Sequence, residues 1–225
     1  TAVARAAVGL VLLRDDFAAL GATVREGRHI FLKIQRAFAY LLAFHVPAVA
    51  LALVVPLAGL PTLLLPIHLV WLELIVHPIS ALAFEAEPPP ADLMDRPPRP
   101  PRAPLLTRAT VVRSLVTGVL ITAVGLALDI GLQRRGVDVA RTAAVTAVIG
   151  ASLALVWAER ADDRAWWRIP APRTLRFWAS WLGAAASLIA ALTVPAVREL
   201  LRFAPLAVDE LALALSSGVA SVAWR

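Results

Sequence analysis

The chain has 225 residues, 60% of them hydrophobic, with a mean hydropathy of +0.75 and a net charge of +6. A soluble domain of this size is about 45–50% apolar, so the composition indicates a membrane protein with several spans. The absence of cysteine excludes disulfides and thiolate metal sites. The positive charge lies between apolar runs, which favours membrane topology over nucleic-acid binding.

Residues 1–36 are mixed in character and precede the first long apolar run. The short apolar run at 7–13 predicts a buried strand, and residues 17–35 predict a charged helix. Because a strand needs partners, we expect a short remnant of an α/β domain whose sheet lies outside the chain. The chain opens without methionine and without a signal-peptide pattern, so we interpret it as a fragment of a longer protein.

Six apolar runs follow and predict an all-α, polytopic membrane helix bundle with six transmembrane helices. The predicted spans are 37–60, 63–84, 111–132, 139–158, 177–197 and 206–224. The last is the weakest, because two acidic residues shorten its apolar part. Only a few residues separate the first two spans, which predicts a tight hairpin, and the proline-rich segment 85–108 predicts a stiff extended connector.

The positive residues are distributed unevenly between alternate linkers of this six-span arrangement. One side carries 17 Lys and Arg residues, and the other side carries five. Cytoplasmic loops are enriched in Lys and Arg, so we predict that both termini lie in the cytoplasm. The protein is expected to be integral to the membrane, with the plasma membrane as its location.

The second span carries the residue pair most indicative of function. Glu73 and His77 lie four residues apart in an apolar run, so both project from one helical face. A charged group at mid-membrane costs about 2.5–3.5 kcal/mol, and such groups usually face a bundle interior or an aqueous cavity. Pro78 follows and weakens the local backbone hydrogen bonding. The pattern favours an ion-handling site, with a structural hydrogen-bonded pair as the alternative.

Three stretches carry motifs that are more specific than their apolar character. The chain opens with TAVARAAVGLVLLRDDFAAL, residues 26–42 read EGRHIFLKIQRAFAYLL, and residues 65–107 contain EPPPADLMDRPPRPPR. These stretches resemble, in order, the end of the phosphorylation domain, the entry into the fifth membrane helix, and the sixth helix with its following loop in P-type cation-transporting ATPases of the calcium-pump type. The six spans would be the last six of that family's ten.

The resemblance implies a division of the chain near residue 37. Residues 1–36 would be the end of the cytoplasmic phosphorylation domain and a stalk helix, and residues 37–225 the cation-transporting ATPase C-terminal transmembrane domain. The DKTG and TGE motifs have no counterpart in the sequence. ATP and magnesium would therefore be cofactors of the full-length pump, whose actuator, nucleotide-binding and phosphorylation domains are missing from this chain. The chain alone would not be catalytic, and its partners would be the bilayer, the cation and those domains.

The resemblance also places the candidate ion ligands. Calcium-transporting members carry N-x-x-E in the fifth helix and N-x-x-T-D in the sixth. The corresponding positions here are His45 and Ala48, and then Glu73, Val76 and His77. Glu73, His77 and His45 are therefore the candidate cation or proton ligands. Few hard oxygens remain for calcium, whereas imidazole suits zinc, nickel, copper or iron and also titrates near neutral pH.

The leading hypothesis is the cation-translocation domain of an ATP-driven pump. The alternative is a non-enzymatic membrane scaffold or pseudo-pump with a degenerate ion site. A secondary transporter would show an internal repeat, and the sequence shows none. Elsewhere, we expect His68 to be a hydrated interfacial residue and Asp129 to form a solvated ion pair with Arg134 or Arg135. The resemblance places Glu159 near a carboxylate that binds cation in some members.

Overall fold

The computed structural model describes residues 18–100, 102–161 and 166–225. Within these ranges the chain is helical and has no strand. The predicted strand at 7–13, and with it the expected α/β remnant, lies outside the described residues. The α-helices are α1 Ala18–Leu57, α2 Pro66–Trp71, α3 His77–Glu85, α4 Arg108–Leu132, α5 Val137–Ala158, α6 Leu175–Thr193, α7 Pro195–Leu200 and α8 Val208–Ala220.

Five helical segments in the described part of the chain are long and apolar enough to cross a bilayer. They are α1, the continuous segment Pro66–Glu85, the segment Arg108–Arg135 that contains α4, and then α5 and α6. The sixth predicted span, at 206–224, contains α8, which has 13 residues. Such a helix is about 20 Å long, shorter than the roughly 30 Å hydrocarbon core. The structure thus supports five spans, and it does not confirm the sixth.

Helix α1 joins the predicted charged helix and the first predicted span into a single element. It has 40 residues and is therefore about 60 Å long. The connector after α3 packs along its polar half: Arg28 donates to the carbonyl oxygens of Leu93 and Arg96 at 3.1 and 2.7 Å, and Gln35 donates to that of Leu105 at 2.6 Å. The described part of this connector contains no helix, as its prolines predict.

Two sequence signals set the ends of the helices. Gly59 has a φ of 72°, which an L side chain rarely adopts, and it turns the chain after α1 into the predicted hairpin. The fifth predicted span, 177–197, breaks at Val194, which is extended because the ring of Pro195 disfavours helical geometry in the residue before it. The span therefore ends at Thr193, and α7 follows as a separate short helix.

Helix α5 lies at the centre of the bundle, and 18 of its 22 residues are buried. It packs against α4 and α8 and also contacts α1, α3 and α6. Its sequence is rich in alanine with interspersed Gly, Ser and Thr. Such small residues allow the backbones of membrane helices to approach closely, which explains why this helix can be surrounded.

Helix α4 crosses α1 at Gly118, and we expect this crossing to tolerate no side chain. A Cβ atom there would lie 2.5 Å from Cβ of Val46 and 2.8 Å from the carbonyl oxygen of Ala43. Because the oxygen belongs to the backbone, the helices must separate. Gly118→Ala should therefore lower the free energy of unfolding by about 1–3 kcal/mol, as overpacking does.

The matched control for this crossing is Gly131→Ala in the same helix, where an added Cβ would meet nothing within 4 Å. It should be neutral or stabilising, because alanine has the higher helix propensity. Unfolding of both variants in detergent provides the measurement. Equal stability of the two variants would contradict the close α1–α4 approach.

Glu210, at the start of α8 and outside the five spans, provides a pH-dependent contact. Its carboxylate accepts a hydrogen bond from Arg135 at 2.7 Å and one from the Ala207 N–H at 2.8 Å. The guanidinium of Arg135 and then this N–H lower the pKa of Glu210 below its ordinary value. A lowered pKa stabilises the fold above the unfolded-state pKa of about 4.5, and the contribution is lost as the pH falls through the folded-state pKa.

We therefore expect wild type to melt at a higher temperature than Glu210→Gln at neutral pH, and the difference to shrink below about pH 4.5. Melting curves of both proteins across this pH range provide the measurement. A difference that stays constant down to low pH would show that the charge of Glu210 does not contribute to stability.

Candidate functional site

The second span changes its helical geometry where the candidate ligands lie. Residues Leu72–Val76 form a π-helical turn between α2 and α3, and the His77 N–H donates to the carbonyl oxygen of Leu72, five residues earlier. Pro78 accounts for this change, because it has no N–H for the carbonyl oxygen four residues before it and its ring crowds that position. Single π-helical turns inside α-helices frequently mark functional sites.

The three candidate ligands lie together, although they come from two helices. Glu73 bridges the two imidazoles: its Oε2 is 3.0 Å from Nδ1 of His77, and its Oε1 is 3.5 Å from Nε2 of His45. One possible ligand atom from each residue lies within 4.8 Å of the others. The spacing of four residues explains the contact between Glu73 and His77. The packing of α1 beside the second span explains the contact between Glu73 and His45.

Neighbouring groups fix the orientation of both rings. Nδ1 of His45 is 2.8 Å from the carbonyl oxygen of Leu41. Since a carbonyl only accepts, Nδ1 of His45 carries a proton, and Nε2 is the ring nitrogen that faces Glu73. The ring of His77 packs edge-to-face against Phe44 at 3.6 Å between centroids, with Tyr40 at 6.2 Å.

The site has a buried side and an open side. The side chain of His77 is 4% exposed, whereas those of Glu73 and His45 are 42% and 47% exposed. On the buried side, Nε2 of His77, Oγ of Ser80 and the hydroxyl of Tyr40 have no hydrogen-bond partner among the described residues. Buried polar atoms of this kind commonly bind a water molecule or an ion. Sequence reasoning predicted an inward orientation for both Glu73 and His77, and only His77 is buried in the described bundle.

Residues 61–225 match the family described as cation-transporting ATPase, C-terminus. The match extends over more than half of the chain. The chain belongs to the cation-transporting ATPase family. Within this family region lie Glu73 and His77, while His45 comes from the part of α1 that precedes the matched residues.

Two residues outside the cluster differ from the sequence-based expectations. His68 was predicted to be hydrated, but it is fully buried. Its Nδ1 accepts from the Leu65 N–H at 3.2 Å, and its Nε2 lies 2.6 Å from the carbonyl oxygen of Leu201. Asp129 was predicted in a solvated ion pair, but it is 2% exposed and accepts a hydrogen bond from Gln133 at 3.2 Å. Both predictions were wrong, because both residues are buried within the bundle.

The structure also contains an ion pair that sequence reasoning missed. Arg225 binds the carboxylate of Glu159, and each side chain is only 3% exposed. Arg225 further donates to Oγ1 of Thr117 at 2.9 Å and to Oγ of Ser114 at 3.3 Å. Glu159 is thus neutralised by an arginine and lies outside the cluster that Glu73 forms. In the sequence, a carboxylate at the end of a nearly uncharged helix was the signal that such a partner was needed.

Proposed function

We propose that this chain is the cation-translocating part of an ATP-driven pump and that the His45–Glu73–His77 cluster binds the transported cation. The cluster is the observation that supports this proposal. Glu73 supplies negative charge, and the two rings supply neutral nitrogen donors when deprotonated. A positively charged ion placed between these three groups would replace their contacts with one another.

The length and continuity of α1 support a coupling role. His45 lies on the same unbroken helix as the polar segment that binds the connector. Phosphorylation of a domain outside this chain would move the polar end of α1, and a rigid helix would transmit that movement to His45. The proline-associated π-helical turn gives Glu73 and His77 a local backbone that can rearrange in response.

The open side of the cluster supports a larger assembly around it. Val49 and Leu53 continue the face of His45 along α1, and Leu74 lies beside Glu73 on the second span; all three are exposed and apolar. Exposure of Glu73 to lipid would be costly. We therefore propose that membrane helices of a longer protein pack on this face and enclose the ion site.

The topology is part of the same proposal, with both termini in the cytoplasm of a plasma-membrane protein. The uneven distribution of Lys and Arg supports it. The natural absence of cysteine allows a direct test with single cysteines at Pro100 and Arg134. The Pro100→Cys thiol should react with an impermeant reagent from the cytoplasm and the Arg134→Cys thiol from the opposite side. Labelling of both from one side would contradict the topology.

Phosphorylation from ATP tests the pump assignment. Under this proposal, the full gene product includes a DKTG segment that precedes this chain. It should form an acid-stable, vanadate-sensitive phosphoenzyme whose level depends on a cation. The purified 225-residue chain should form none, because its sequence lacks the DKTG aspartate. A DKTG-bearing gene product that never becomes phosphorylated would favour the pseudo-pump or scaffold, and phosphorylation of the chain alone would contradict the assignment.

A further inference from the structure

The donor atoms of the cluster are informative about which cation it takes. Two of the three side chains are imidazoles, and the third, Glu73, is the cluster's one carboxylate. Calcium binds six to eight oxygen atoms, and magnesium requires near-ideal octahedral oxygen coordination. A carboxylate supplies at most two oxygens, so the cluster matches neither ion. Imidazole with carboxylate is instead a frequent ligand set for zinc and neighbouring divalent metals.

The surroundings of His45 match those of a metal-binding histidine. Metal-ligating histidines commonly donate their other ring N–H to a backbone carbonyl, which fixes the tautomer and orients the ring. The carbonyl oxygen of Leu41, 2.8 Å from Nδ1 of His45, provides this contact. This contact leaves Nε2 of His45 facing Glu73, whose Oε1 is 3.5 Å away.

The buried side of the cluster holds His77 in a fixed position beside Glu73. His77 is 4% exposed, yet its Nε2 has no hydrogen-bond partner among the described residues, while its Nδ1 lies 3.0 Å from Glu73. An imidazole held against Phe44 in this way has few alternative orientations. If Nδ1 of His77 binds a metal, the ring proton resides on Nε2, next to the buried polar side of the site.

We infer that the cation bound by His45, Glu73 and His77 is a divalent transition metal of the zinc class. Three protein ligands leave one position of a tetrahedral ion open, and closed structural zinc sites usually have four. An open coordination position allows a transported ion to exchange ligands and leave, which a closed site with four protein ligands does not. This inference rests on the proposed function, which assigns the cluster to transport.

Metal binding to the intact chain in lipid nanodiscs tests the inference directly. Competition with a chromophoric chelator should show one tightly bound Zn²⁺ per chain, which excess Ca²⁺ does not displace. Glu73→Gln and His45→Gln should each weaken Zn²⁺ binding by at least about 100-fold, since loss of outer partners alone costs 10–100-fold. His45 is half-exposed, so its replacement should leave the fold intact even if variants of the buried His77 do not fold.

His29→Gln is the matched control, because it also removes one histidine. His29 lies on the same helix α1, but its Nε2 contacts the Glu87 carbonyl oxygen at 3.0 Å. This variant should bind Zn²⁺ like wild type. Bound Co²⁺ should show the visible spectrum of a tetrahedral site with nitrogen ligands, and this spectrum should disappear in His45→Gln but persist in His29→Gln. Equal Zn²⁺ binding by all variants, or displacement of Zn²⁺ by Ca²⁺, would overturn the inference.

Cation-stimulated phosphorylation of the longer gene product separates the two proposals. If cluster variants abolish a response to another cation while Zn²⁺ does not bind the cluster, the pump assignment stands and the zinc-class inference is overturned. If the cluster binds Zn²⁺ but its variants leave every cation response unchanged, the metal site stands and its role in transport is wrong. If the cluster variants lose both Zn²⁺ binding and Zn²⁺-stimulated phosphorylation, the pump assignment and the zinc-class inference are both supported.

Discussion

Glu73→Gln in the proposed full-length pump should abolish cation-stimulated phosphorylation or dephosphorylation. Glu73 contacts both imidazoles and is the cluster's one source of negative charge. Glutamine preserves the shape but removes the charge that would offset the proposed divalent cation. The rate of phosphoenzyme formation or decay, measured as a function of cation concentration, should lose its cation dependence while expression and membrane insertion remain normal.

The control for Glu73 is Glu85→Gln in the same span. Glu85 is the last residue of α3 and is exposed, and it lies outside the cluster. Its neutralisation makes the same chemical change at the end of the helix and should leave the cation response intact. If Glu73→Gln responds to cations like wild type, then the contacts among Glu73, His45 and His77 are structural and the transport role is wrong.

Glu159→Gln should cause the largest loss of stability among these substitutions. Glu159 and Arg225 are each 3% exposed, so the carboxylate neutralises a buried guanidinium. Arg113 also lies close enough to interact electrostatically with Glu159. Removal of one partner of a buried ion pair typically costs about 3–5 kcal/mol, because it leaves the other charge buried and uncompensated. The midpoint of unfolding in a denaturing-detergent titration provides the measurement.

The double variant Glu159→Leu with Arg225→Met separates pairing from packing. It removes both charges and fills the space with apolar side chains, a change that is often neutral or stabilising. The double variant should therefore be more stable than Glu159→Gln. If both proteins lose the same stability, the cost comes from packing at this position and the ion pair does not contribute.

Local sequence rules were sufficient for several elements. The apolar runs predicted α4 and α5 to within a few residues, because a helix that crosses a bilayer must satisfy its own backbone hydrogen bonds over a fixed length. The proximity of Glu73 and His77 also followed from local geometry, since residues four apart are neighbours on a helix. The proline-rich connector likewise followed from the lack of backbone donors.

Other features depended on contacts between residues far apart in the chain. The carbonyl oxygen that binds His68 belongs to Leu201, and the partner of Glu159 is Arg225. Periodicity and composition do not report which distant helix covers a given face. Both residues therefore had no assigned partner in the sequence, and the hydrated environment predicted for His68 was wrong.

The sequence by itself determined that this is a membrane helix bundle of the cation-transporting ATPase family, because hydrophobic length and short motifs are local properties. The tertiary structure alone decided that His77 is buried while Glu73 is half-exposed, and that α8 is short. These features arise when α1 packs beside the π-helical turn and α5 takes the centre of the bundle. Close packing of small residues selects that arrangement, and a hydropathy pattern specifies only which residues avoid water.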